Sequence, residues 1–364
     1  MNHLRNCFSK EIVNITRQSE IDIAKGLCVI LMVFTHAFEN VAWFFDPEVS
    51  SVVFDNLFNK IIGNSFGAPL FMLCMGISFC YSKKNDTADL LKRAAKMLVM
   101  AFSLEILRTA IPGLLEWLIF RDPECIEYVY YFFAADILQF ATLVFLTMAL
   151  FRMLKLKPLA MLFIAALASV AGQLLCGLRV DSVIANTAVG YLWYSGEMSY
   201  FPLLNWLIFP ICGYAVGNLW MHLRDKDKFF RITTPILTVI SVIYFSSMAI
   251  VGEWYYFSAG NYCGMGLLDA LFTMISAFSV IGISYLLFKH TRKLRKLLAA
   301  MGERITSIYC IHWTIYGFLY LGILLVIGDA YLPRWSVLPV GIAVLLLSNY
   351  LSALYARYKS RYSR

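Results

Sequence analysis

IDIAKGLCVILMVFTHAFENVAWFF, residues 21–45, governs the reading of everything around it. A stretch this long and apolar crosses roughly 30 Å of hydrocarbon as one helix. It nevertheless carries Asp22, Lys25, His36 and Glu39. Ionisable groups at membrane depth are costly, and where they persist they usually mark a working site. Lys25 and His36 stand eleven residues apart, about three helical turns, so they share a face. That face is the starting point for a catalytic site inside a membrane protein.

The rest of the chain has the same character. Of 364 residues, 60% are apolar and only 15% charged, against about 25% charged in a soluble domain. Mean hydropathy is +0.69. The expected fold is all-α: a polytopic integral membrane protein of about ten helices. The apolar blocks place spans near 21–45, 57–81, 94–120, 127–151, 158–177, 201–222, 234–255, 264–288, 305–327 and 333–356. A cytoplasmic segment 1–20 would precede a transmembrane domain 21–356, and a basic tail 357–364 would follow it. The first block is too long for a signal-peptide core and reads as an uncleaved helix. No soluble domain is expected.

The net charge of +8 does not form a nucleic-acid surface, because its placement follows the spans. Twenty-five of the 31 basic residues fall on the N-terminus, the C-terminus and alternate connections, 83–96 and 289–304 among them. Excess Lys and Arg mark cytoplasmic loops, so both termini are expected in the cytoplasm of a cell (inner) membrane protein. The opposite loops are aromatic and acidic (GYLWYSGEMSYF, GEWYYFSAGNYC). Their Tyr and Trp suit an interfacial belt, and aromatic faces also stack on sugars. Nine cysteines show no CxxC pair, and neither a metal site nor a disulfide framework is expected. Cys125, Cys176 and Cys263 lie near the outer side, where two of them could pair or serve as small apolar fillers.

Span direction gives depth. Running outward at 1.5 Å per residue, the first span lifts His36 into the outer half, with Glu39 one turn on. The third span carries Glu105 and Arg108, three apart and able to pair. The fourth brings Asp136 and Gln139 and the eighth Asp269, all into their outer halves. A shared interior cavity would keep these groups from lipid. Within it, neutral imidazole is the usual general base, and Glu39, Asp136 or Asp269 is the carboxylate to orient it. Arg108 or Gln139 is a candidate oxyanion donor. Glu105–Arg108 also reads as a structural ion pair. Asp22 and Lys25 either snorkel to the interface or bind a phosphate-bearing cofactor. His312, in the inner half of the ninth span, either packs or lines a cofactor tunnel. Glycines and prolines in 66–79 and 200–220 either allow close helix packing or open a helix around a ligand.

Asp22, Lys25 and His36 together resemble the first-span signature of the transmembrane acyltransferase superfamily: an acidic residue, then Arg or Lys, ten residues, and His. MGERITSIYCIHW (301–313) is similar to a late pattern of that superfamily through Gly302, Ser307, Tyr309 and His312. GAPLFMLCMGIS, ADILQFATLVFL and YFPLLNWLIFPICGYAVG are similar to the branch that includes heparan-glucosaminide N-acetyltransferases. The resemblance implies an acyltransferase that moves an acyl, usually acetyl, group from cytoplasmic acetyl-CoA to a sugar or glycan hydroxyl or amine. It implies His36 as base, with Asp22, Lys25, Ser307, Tyr309 and His312 toward the acyl-CoA, and a homodimer as in related enzymes; Arg108 and Gln139, as oxyanion donors, are placed with the acyl-CoA site by the reading of the residues. Gly67 and Ala68 favour a short acyl chain. The rival reading is a polytopic transporter or flippase of a sugar-linked or lipid substrate. It is weakened by the lack of matching broken helices in the two halves.

Overall fold

The computed structural model describes residues 2–41, 67–121, 131–328 and 332–362. The described residues are helical apart from connections and one isolated bridge, Phe8 to Leu223. The main helices are α1 (Ser19–Val41), α2 (Ala68–Cys80), α3 (Thr87–Phe120), α4 (Ile137–Met153), α5 (Pro158–Leu174), α6 (Leu203–Trp220), α7 (Lys226–Val251), α8 (Leu267–Phe288), α9 (Arg292–Glu303), α10 (Ile305–Ile327) and α11 (Val337–Tyr362). Eight segments are long and apolar enough to cross a membrane, and α2 and α5 are shorter apolar helices. Together they match the ten expected spans in order. Residues 42–45 of the first span, 57–66 of the second, 127–130 of the fourth, and Cys125 lie outside the described residues.

Helix ends follow local chemistry. Asp136 caps α4 by accepting from the Ile137 amide, and Asp225 caps α7 by accepting from the Lys228 amide at 2.9 Å. α5 starts on Pro158, whose missing N–H costs nothing in a first turn. α7 and α10 stop at Gly252 and Gly328, both left-handed with φ of 79° and 76°. α11 runs through the expected tail to Tyr362. Its last turn carries Lys359 and Arg361, charges that suit the negative end of a helix dipole.

The chain forms two compact units: residues 1–21, 68–101 and 133–292, and residues 22–67, 102–132 and 293–364. In the first, α2 packs on α6 at backbone contact. A Cβ on Gly76 would overlap the Pro210 carbonyl, and one on Gly213 the Leu73 carbonyl. These small residues therefore serve close packing. α7 and α8 pair beside them. The N-terminal segment is tied down by Ser9, whose amide donates to the His222 carbonyl at 2.8 Å, and by the Glu20–Lys226 ion pair at 2.8 Å. Cys176 and Cys263 are free thiols. Burial pushes both up, Cys263 to about 12, as expected of fillers rather than reactive groups.

In the second unit, α1 and α10 run parallel. A Cβ on Gly302 would overlap the Asp22 carbonyl, and the Tyr316 hydroxyl donates to the Val33 carbonyl at 2.8 Å. α11 closes on both neighbours. Gly341 sits against Phe34, the Leu332 amide donates to the Val41 carbonyl at 2.7 Å, and Arg304 donates to the Asn349 carbonyl, the Asn349 side chain and Ser352.

Candidate active site

The polar residues of the second unit converge around three aromatic rings. His36, on α1, puts Nδ1 2.7 Å from a Glu39 carboxylate oxygen. The i,i+3 spacing sets this pair on one helix face. A carboxylate accepts only, so Nδ1 carries the proton and Nε2 presents a lone pair. Such a bond fixes the tautomer and the orientation of the ring.

The His36 ring lies against α10. Its centroid is 4.1 Å from that of Trp313 and 5.5 Å from that of His312, near-parallel to the latter at 18°. Depth counted along the two spans separates the histidines into opposite halves; the structure sets their rings face to face. Gly302, near the end of α9 and just before α10, touches α1 at Asp22, and from that contact His36 is fourteen residues on and His312 ten. The difference of four residues is about 6 Å of rise, which side chains span.

α3 supplies the cation. Its α-helical course is interrupted at Ile106–Ala110 by a π turn, in which the Ile111 amide reaches back to the Ile106 carbonyl. Pro112 explains the break: it has no N–H for the Arg108 carbonyl four residues earlier. Single π turns often coincide with functional sites. Arg108 and Glu105 then pair in a bidentate fork, Nε to one oxygen at 2.9 Å and an Nη to the other at 2.7 Å. Both side chains are buried, 9% and 1% exposed, so the pair is well placed to hold a fixed charge. The guanidinium lies 4.6 Å over the Trp313 ring, within cation–π range. Gly317, one turn beyond Trp313, permits this: a Cβ there would overlap the Arg108 carbonyl.

His312 is fully buried. Its Nδ1 donates to the Ile308 carbonyl at 2.9 Å. Tyr309 and Tyr316 stand edge-on to its ring at 5.5 and 5.9 Å. Its Nε2, and the Trp313 Nε1, are buried without a hydrogen-bond partner.

The other expected residues are placed as follows. Asp22 is buried and Lys25 half-buried on α1, and Ser307 is half-buried near the start of α10. Asp136, Gln139 and Asp269 belong to the first unit. There Asp136 caps α4, Gln139 is buried, and Asp269 accepts from the Tyr244 and Ser258 hydroxyls, one on each oxygen. The structure thus brings His36, Glu39, Arg108, Tyr309 and His312 together. It also adds Trp313, to which sequence reading gave no role. The available signal was a tryptophan well inside a span rather than at its ends, where the interfacial belt lies.

A family model described as an acyltransferase domain, of the acyltransferase-3 type, matches residues 18–353. The chain belongs to this family, and is a multi-span membrane protein of the acyltransferase class. Neither the curated proteins nor the solved structures give a match.

Proposed function

We propose that the protein transfers an acyl group, acetyl in view of the small residues Gly67 and Ala68, from acyl-CoA to a sugar or glycan acceptor, with His36 as general base. The observation that carries this reading is the His36–Glu39 pair at 2.7 Å, set beside a buried cation held by its own carboxylate. A base oriented by a third group is the arrangement acyl transfer uses.

The CoA phosphates bind on the basic side of the membrane, taken as the cytoplasm, near Lys25. Lys25 and His36 are both on α1, and their separation is about 16 Å of rise. That is comparable to an extended pantetheine arm, so the thioester carbonyl would lie near His36. The acceptor enters from the other side. His36 Nε2 takes the proton of the acceptor hydroxyl as its oxygen bonds to the thioester carbon. Arg108 stabilises the charge that develops on the carbonyl oxygen. Collapse breaks the C–S bond, and the imidazolium returns the proton to the departing CoA sulfur. Similarity to the glycan-acetylating branch supports the sugar acceptor and a homodimer.

The test is made on the purified full chain. Acetyl-CoA binding is measured by calorimetry, and transfer is followed by release of free CoA. His36→Ala is expected to lower turnover by about 10²–10⁴-fold while still binding acetyl-CoA. Turnover within about threefold of wild type, or wild-type protein that does not bind acetyl-CoA, overturns the reading; the second result is the one a transporter would give.

A further inference from the structure

The unpartnered atoms beside His36 are one acceptor and one donor. The Ile308 carbonyl can only accept, so neutral His312 carries its proton on Nδ1 and leaves Nε2 as a bare lone pair. Trp313 Nε1 is a donor only. Both atoms are buried with no partner among the described residues. Each buried polar group left so costs about 1–3 kcal/mol, and native proteins rarely tolerate two side by side. The two rings are neighbours, with centroids 5.7 Å apart. A hydroxyl meets both needs at one atom: its O–H donates to His312 Nε2 and its lone pair accepts from Trp313 Nε1. An ammonium has donors only, and would face the Arg108 guanidinium lying 4.6 Å over the same Trp313 ring.

This hydroxyl cannot be the one that reacts, because its proton is committed to His312 while the reacting hydroxyl gives its proton to His36. The two imidazole rings are neighbours, with centroids 5.5 Å apart, so the two hydroxyls belong to one acceptor molecule. We infer that His312 and Trp313 form an anchoring subsite for a second hydroxyl, so that the acceptor carries at least two hydroxyls, a diol or polyol. This rests on the acyl-transfer reading for the role of His36, but the subsite can be tested without turnover.

The full chain is incorporated in lipid nanodiscs with ¹⁵N-labelled histidine, of which the sequence holds only five. The probes are trans-cyclohexane-1,2-diol and its mono-alcohol counterpart, cyclohexanol. The diol is expected to move the His312 Nε2 resonance saturably, and cyclohexanol to bind at least about tenfold more weakly, as loss of one hydrogen bond predicts. Trp313→Phe keeps the ring and removes the donor, and should weaken the diol response by a similar factor. His312→Asn keeps a donor for the Ile308 carbonyl and removes the acceptor, and should do the same. An unmoved His312 signal, equal responses to diol and cyclohexanol, or an unchanged response in a folded Trp313→Phe protein overturns the subsite. The comparison of the two probes needs only wild-type protein, so a variant that fails to fold does not block the test. Acetyl-CoA calorimetry on the same sample is read separately. If acetyl-CoA does not bind while the diol signal moves as expected, the acyl-transfer reading falls and the diol subsite stands.

Discussion

Glu39 holds His36 through a bond of 2.7 Å and sets a negative charge beside the ring. Glu39→Gln keeps an acceptor for Nδ1 and removes that charge. It should lower turnover about 10–100-fold with little change in acetyl-CoA affinity, checked by calorimetry beside initial rates. Arg108 poses a different question, because its partner is buried. Arg108→Met takes the guanidinium from the buried Glu105 carboxylate and should lower stability by about 3–5 kcal/mol, read from chemical denaturation. Adding Glu105→Leu should restore most of that stability and none of the turnover, which separates the structural part of the pair from its catalytic part. These residues differed in how far they could be read from sequence. His36, Glu39, Glu105 and Arg108 were legible because i,i+3 spacing on a helix fixes neighbours regardless of tertiary packing. Trp313 was not, since its importance comes from what α1 and α3 bring to its two sides.

Among the elements, the π turn of α3 and the glycine facing it do most to shape the site. Gly317→Ala should push α10 away from the Arg108 carbonyl and loosen the guanidinium from Trp313. The expected result is a loss of turnover of about tenfold or more with acetyl-CoA binding retained, measured on detergent-purified protein after a thermal-unfolding check that the variant is folded. The helices themselves were legible because apolar blocks of membrane length leave few alternatives. The π turn was not, although Pro112 was a cue: proline within a span commonly forces a local change of hydrogen bonding, but its form depends on the neighbouring helix. The level of His312 was misjudged for a related reason. Counting residues from a span's start assumes that all spans begin in one plane, whereas the contact of Asp22 with Gly302, at the end of α9, offsets the α10 that follows against α1.

For the molecule as a whole, the charge distribution predicts its orientation. Cysteines introduced at Ser9 and Ser360, near the two ends, in a background with the native cysteines replaced, should react with a membrane-impermeant maleimide only after the cytoplasmic face is exposed. Labelling of either site in sealed cells would reverse the proposed arrangement. The order of ten apolar helices was legible, while the division into two compact units was not: its boundaries run through α1 and α3 and leave no mark in composition. The wide turn at Ile106–Ala110 has one last consequence, for comparison across the family. It is an α-helical turn with one extra residue, and each residue rotates a helix by about 100°. A relative whose third helix is regular would therefore align with this chain only through a single-letter gap, opened within those five positions. Placed a few letters to either side, the gap would match the guanidinium to a residue that faces elsewhere, and a shared function would look like divergence.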